Sequence, residues 1–141
     1  PYELGLGWAV KMNKKNFIGK KALEKELARG PEWEFIGIEI EWDQLEKLYR
    51  EAGLAPGLPS TAWRTSTPLY YNNQQVGYAT SGAWSPILKK YIALGHLKSN
   101  FAMNGTILDF EVKIEHFRKL TKAKVVKTPF FDPKRKRSCP K

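Results

Sequence analysis

Between Ile107 and His116 the side chains alternate: Leu108, Phe110, Val112 and Ile114 are apolar, while Asp109, Glu111, Lys113 and Glu115 are charged. Only an extended strand sends successive side chains to opposite faces, so this segment must lie with one side on a core and the other in water. Leu120 to Lys127 follows closely enough to pair back on it as a hairpin. Upstream, the same chemistry comes in shorter pieces: Pro68 to Tyr71, a turn at Asn72-Asn73, Gln75 to Ser81, a break at Ser85-Pro86, Tyr91 to Leu97, and a turn at Asn104-Gly105. Trp33 to Ile40 alternates too, but with apolar residues on both sides, which predicts a strand buried on both faces. Such spacing predicts a mainly β fold, an antiparallel barrel or sandwich.

The first 31 residues read differently. Gly5 and Gly7 break Pro1 to Val10 into an irregular turn. Gly19 to Ala28 then places Ala22, Leu23, Leu27 and Ala28 on roughly one face of a helix, which Gly30-Pro31 stops. A second, short helix is predicted from Asp43, acting as its cap, to about Ala52, ended by Gly53. Pro56, Gly57, Pro59 and Ser60 mark the loop after it, and the segment 43–61 reads as an insertion.

A chain of 141 residues is long enough to hide roughly two-thirds of its unfolded surface around one core. With 42% hydrophobic and 13% aromatic residues it is too apolar for a disordered chain. No stretch reaches the roughly 18 apolar residues of a membrane span, and no charged-then-apolar leader opens it, so it reads as soluble. The one cysteine, Cys139, excludes an internal disulfide, which fits a reducing cytoplasm, or a mitochondrial matrix in a eukaryotic source, and fits many other places as well. Residue 1 is Pro rather than Met, and the chain is expected to begin where something was removed or not supplied.

The net charge of +10 is concentrated at one end. Residues 113–141 hold eleven Lys and Arg against Glu115 and Asp132, whereas residues 1–112 hold thirteen against twelve. Such a basic end suits a nucleic-acid patch, a solvated feature that favours solubility, or a rim that attracts a small polyanion.

No catalytic constellation emerges from the residues alone. His96, His116 and Cys139 are the whole His and Cys inventory and lack metal-ligand spacing. Gly5-Leu6-Gly7 has Val10 where a dinucleotide fingerprint needs its third glycine. Thr80-Ser81-Gly82 lacks the glycine two before the serine of a nucleophile elbow. Glu39 and Glu41 share a strand face that solvation explains. Read singly, these residues describe a binding or structural domain.

Three longer segments carry a resemblance. Pro1-Tyr2-Glu3-Leu4-Gly5-Leu6-Gly7-Trp8-Ala9-Val10-Lys11 followed by Asn16-Phe17-Ile18-Gly19-Lys20-Lys21-Ala22-Leu23 resembles the stretch that joins the catalytic region of glycine cleavage T-proteins to their C-terminal barrel. Val76-Gly77-Tyr78-Ala79-Thr80-Ser81-Gly82, Ser85-Pro86-Ile87-Leu88-Lys89-Lys90 and Ile92-Ala93-Leu94-Gly95 are similar to that family's barrel motif, and Thr128-Pro129-Phe130-Phe131-Asp132-Pro133 to its closing segment. The segment 43–61 is longer than the family pattern, and nothing carries over to it. An iron-sulfur branch of the same superfamily has a Cys and a Gln-Glu pair where this chain reads Lys15-Asn16-Phe17-Ile18-Gly19-Lys20-Lys21, which favours the transferase or demethylating branches.

The resemblance implies an antiparallel Greek-key-like β-barrel over residues 32–128, preceded by a turn-helix joining segment at 1–31 and followed by a basic tail at 129–141. It implies an aminomethyltransferase that passes a carbon from a lipoyl-bound donor to tetrahydrofolate, with a lipoyl carrier protein as partner; related members use sarcosine, dimethylglycine or a sulfonium compound. The family's catalytic Asp and pterin-reading Glu fall outside this chain, so it is expected to need an upstream folate-binding region and to be inactive alone. Counting from Pro129 brings Arg137, with Arg135 beside it, to the position of a folate-contacting Arg, whose planar fork suits a carboxylate. Trp8 and Lys11 match the joining motif and are expected to line the central cavity, with Trp84 at its rim. The alternative is a basic β-barrel that binds nucleic acid through Lys122, Lys124, Lys127, Lys134, Arg135, Lys136 and Arg137.

Overall fold

A computed structural model describes residues 1–58 and 61–138, apart from the side chains of Lys134 and Arg137. Pro59, Ser60 and Cys139 therefore lie outside the described residues. Six antiparallel strands, β1 (Trp33–Ile40), β2 (Thr67–Tyr71), β3 (Gln74–Ser85), β4 (Lys90–Lys98), β5 (Ile107–Ile114) and β6 (Phe117–Val126), close into a barrel in the order β1-β4-β3-β2-β5-β6. The meander β2-β3-β4 with β1 returned beside β4 is the Greek-key arrangement the resemblance implied. Helices α1 (Lys20–Arg29) and α2 (Trp42–Glu51) flank β1 in sequence.

The alternation sets what is inside. Ile36, Ile38 and Ile40 of β1, Leu69 of β2, Leu97 of β4, Leu108 and Phe110 of β5, and Ala123 and Val125 of β6 form one core cluster. Six strands enclose only enough space for such side chains to fill, so the interior is solid rather than a channel. Small residues admit the neighbours: a Cβ on Gly77 would meet the backbone at His96 and Leu97, and one on Gly82 would strike the Trp63 ring. Asn72 and Asn73 both adopt positive φ, 48° and 63°, in the two-residue turn between β2 and β3.

Several boundaries differ from the sequence expectation. β3 runs to Ser85 rather than Ser81, because a bulge between Ala79 and Ser81 resets its register and lets it continue along β4. The β5–β6 turn falls at Glu115-His116, both at positive φ, so β6 starts at Phe117 rather than Leu120. In α2 the cap position is Glu41, not Asp43. The backbone N–H of Glu41 donates to the Lys122 carbonyl at 2.8 Å, and this bond to β6 fixes where the helix begins. Asp43 lies in the first turn, where its charge favours the helix N-terminus.

Ile38→Ala should cost about 2–5 kcal/mol of folding free energy, read as a lower urea midpoint, since Ile38 is fully buried. Thr121→Val should instead be neutral or stabilise by about 1 kcal/mol, because the Thr121 hydroxyl is buried with no hydrogen-bond partner among the described residues.

Candidate functional site

The segments that carry the resemblance meet on the outer wall of β1, β4 and β3. Register places Phe35 opposite His96 and Gly37 opposite Leu94, and on the other side of β4 Tyr78 opposite His96 and Ser81 opposite Leu94. The N-terminal turn attaches at one end of this wall: the Phe35 N–H donates to the Glu3 carbonyl at 2.8 Å. The closing segment attaches two residues along the same strand, where a Cβ on Gly37 would come within 2.8 Å of the Thr128 methyl and 2.9 Å of the Phe130 ring. Glycine at 37 is thus what lets the chain's end cross β1, with a cis peptide bond between Thr128 and Pro129. Phe130 also roofs an apolar hollow of about 250 Å³ with Ala62, Ser81, Ala83, Ile92 and Leu94.

The polar content of this wall is slight and specific. The His96 ring lies 5.5 Å from that of Phe35 and 5.7 Å from that of Tyr78, and Tyr78 lies 6.0 Å from Trp33. His96 Nδ1 is shielded from solvent and has no hydrogen-bond partner among the described residues. The sequence drew attention to His96 only as an isolated imidazole. Its position next to Ile92-Ala93-Leu94-Gly95 was the available signal.

The residues singled out from the sequence fall in three places. Trp8 stands 83% exposed in the 3-10 turn Gly7–Ala9. Lys11 is exposed and lines a hollow with Val10, Lys14, Phe17 and Leu23. Arg135 is exposed in the 3-10 turn Lys134–Arg137, where its carbonyl accepts from the Ser138 hydroxyl at 3.3 Å. The Arg137 side chain lies outside those described. Trp84 sits at the far end of β3, paired opposite Tyr91, its ring 5.1 Å from that of Trp42 at the start of α2. The wall brings the two chain ends together, whereas Trp84 belongs to the barrel mouth under α2.

Part of the basic surface is compensated across strands. Lys122 pairs with Asp109 at 2.5 Å and Arg118 approaches Glu111 at 3.8 Å. Lys90 pairs with Glu39 at 2.7 Å. In the tail, Lys136 donates to the Phe131 carbonyl at 2.8 Å and stands 5.5 Å from the centre of its ring. Among the described residues no three His, Cys, Asp or Glu gather as a metal site, and no helix is long and apolar enough to cross a membrane.

Comparison with known proteins is consistent over 93% of the chain. The family model for the glycine cleavage T-protein C-terminal barrel domain matches residues 50–132. An aminomethyltransferase of Bacillus pumilus is 37% identical over 132 residues, 93% of this chain and 30% of that protein. One of Prochlorococcus marinus strain NATL2A is 39% identical over the same shares. The crystal structure of the glycine cleavage system aminomethyltransferase T from Bartonella henselae superposes with a TM-score of 0.70 over 93% of this chain and 32% of that one, at 23% identity, a likeness of fold. The chain spans about 30% of the length of the curated relatives it matches. It belongs to the family of the glycine cleavage T-protein C-terminal barrel domain.

Proposed function

We propose that this chain is the closing barrel of a tetrahydrofolate-dependent aminomethyltransferase and works against a folate-binding catalytic region that precedes it. The observation that carries this reading is the exposure of the large apolar residues of the N-terminal segment. Leu4, Leu6, Trp8, Ile18 and Leu27 are all exposed, and α1 buries none of its ten residues. A ten-residue helix is marginal in water without packing on one face. Five exposed large apolar residues in one short segment suit a contact surface, and relatives about three times as long have the chain to supply a partner. In this reading residues 1–31 form the seam to the catalytic region, 32–128 the barrel and 129–141 the tail that reaches the ligand.

Carbon transfer to tetrahydrofolate, the acceptor substrate, asks for an amine held in line with the donor and for a carboxylate near the developing positive charge. In the proposed assignment the carboxylate comes from the upstream region and this chain positions. Arg135 and Arg137 grip the anionic glutamyl end of the folate, Trp8 and Lys11 line the seam, and Trp84 marks the barrel's rim. Arg135 has no ion-pair partner among the described residues, which leaves its guanidinium open to a carboxylate. The aminomethyl donor on a lipoyl carrier protein follows the same proposal, as does a cytoplasmic or mitochondrial-matrix setting.

Calorimetry on the barrel joined to its catalytic region tests the assignment. Arg137→Ala and Arg135→Ala should each weaken tetrahydrofolate binding by about tenfold or more, the value of a charged hydrogen bond. Both should leave tetrahydropteroate, which lacks the glutamyl end, unaffected. Unchanged tetrahydrofolate affinity in both variants would remove the tail from the site. Trp8→Glu and Leu27→Glu should leave the isolated chain's stability within about 0.5 kcal/mol but lower the melting temperature of the joined protein. An equal melting temperature there would mean that these apolar residues are not the seam.

A further inference from the structure

Helix α2 and Trp63 beyond it bound a second cavity that the proposed folate assignment does not use. α2 crosses one mouth of the barrel, anchored by the buried Leu45, by Trp42 on Trp84, and by Gln44, whose amide oxygen accepts the Lys122 N–H at 3.1 Å. Past the helix, Trp63 locks onto β3: its N–H and carbonyl bond the carbonyl and N–H of Gly82 at 3.0 and 3.3 Å. Its ring fills the space a Cβ on Gly82 would need and stands 6.2 Å from the ring of Phe110. Between this roof and strands β2 and β5 lies an open cavity of about 320 Å³, walled by Tyr49, Trp63, Tyr91 and Phe110 and edged by Glu111 and Lys113. That volume suits a ligand of one or two rings, and aromatic walls favour a planar one.

The polar groups decide its charge. The indole Nε1–H of Trp63 donates to the Tyr91 hydroxyl at 2.7 Å, so the Tyr91 oxygen is an acceptor there and its own O–H remains to donate. Burial foremost, and the nearby Tyr49, push the Tyr91 phenol above its ordinary value against the opposing pull of the Trp63 hydrogen bond, so it keeps its proton in the neutral range. Glu111 is already engaged, accepting from the Tyr70 hydroxyl at 3.3 Å and facing Arg118 at 3.8 Å. Lys113 is exposed, forms no ion pair among the described residues, and lies directly across the β5–β6 ladder from Arg118. Arg118 is turned to Glu111, so Lys113 is the cation left over at this edge. The cavity therefore offers donors and positive charge, with its one carboxylate compensated.

The geometry points to a binding site for a small aromatic anion, its ring between Trp63, Tyr49 and Phe110 and its carboxylate toward Lys113 and the Tyr91 hydroxyl. The test uses the full 141-residue chain and 2-naphthoate as probe, following the Trp63 indole N–H by nuclear magnetic resonance. A saturable shift is expected at probe concentrations up to about 5 mM, with 2-naphthylmethylammonium and cyclohexanecarboxylate each binding about tenfold or more weakly. Lys113→Ala should weaken naphthoate binding by about tenfold and Lys113→Arg should retain it. Lys113 is exposed, so its variants keep the fold, which the dispersion of the same spectra verifies. No saturable shift at the Trp63 signal, equal binding of the ammonium probe, or full affinity in Lys113→Ala would each overturn the proposal. Because the probe and the variants lie apart from the tail arginines, failure here leaves the folate reading standing, and the reverse holds.

Discussion

Everything in this molecule hangs on β1 being hydrogen-bonded along both edges. It pairs with β4 over its full length, Trp33 to Ile40, and with β6 from Gly37 to Ile40. Without that second pairing the sheet would keep two open edges, each a template for unwanted association. β6 stops short of the start of β1, and there the Glu3 carbonyl takes the Phe35 N–H. The N-terminal segment thus completes the seam that β6 leaves open. Gly37 serves the same junction from the other end of the chain, since only the absence of a side chain lets Thr128 and Phe130 lie across the strand. Two sequence-distant segments reach one surface because a single strand needs them both.

How much of this could be read from residues depends on the kind of interaction. The clean two-residue period of Leu108 to Glu115 determined its core face, and Leu108, Phe110 and Ile114 are buried as that period requires. Asn72-Asn73 announced its turn because asparagine tolerates positive φ. Glu115-His116 adopts the same region without any such signal, and the tertiary ladder between β5 and β6 imposes it. The extension of β3 to Ser85 depends on a bulge opposite β4, a relation between strands that no local pattern encodes. The start of α2 was displaced for a similar reason, as the Lys122 carbonyl is 81 residues from Glu41 and decides the cap.

The site was legible as segments and not as geometry. Order and spacing marked Pro1 to Lys11, Val76 to Gly95 and Thr128 to Pro133 as belonging together, but nothing in them told that Phe35, Gly37, His96 and Ser81 would form the wall on which they meet. His96 carries the most information there, since a shielded Nδ1 with no partner among the described residues is an incomplete hydrogen bond. Trp8 presents the opposite lesson. Burial statistics for tryptophan favour an interior place, yet its ring stands in solvent in this chain. The mouth cavity escaped sequence reading entirely, because Trp63, Tyr91 and Phe110 come from three separate elements that closure alone assembles.

Charge shows most sharply why counting along the chain misleads. Residues 113–141 look strongly basic in a linear window, but the acids that meet them lie outside it, in Asp109 and Glu111 of the neighbouring strand. Lys124 likewise sits across from Glu39 in the β1–β6 ladder, the same carboxylate that takes Lys90. Exposed pairs of this kind contribute little stability, about 0–1 kcal/mol each, so their consequence is chiefly electrostatic. They offset part of the positive field on the flank of the barrel, whereas Lys113, Lys119 and Lys124 form no ion pair among the described residues. At physiological ionic strength such a field fades over about 8 Å. The remaining positive charge therefore acts where it stands, and Lys113 carries its share at the edge of the roofed cavity.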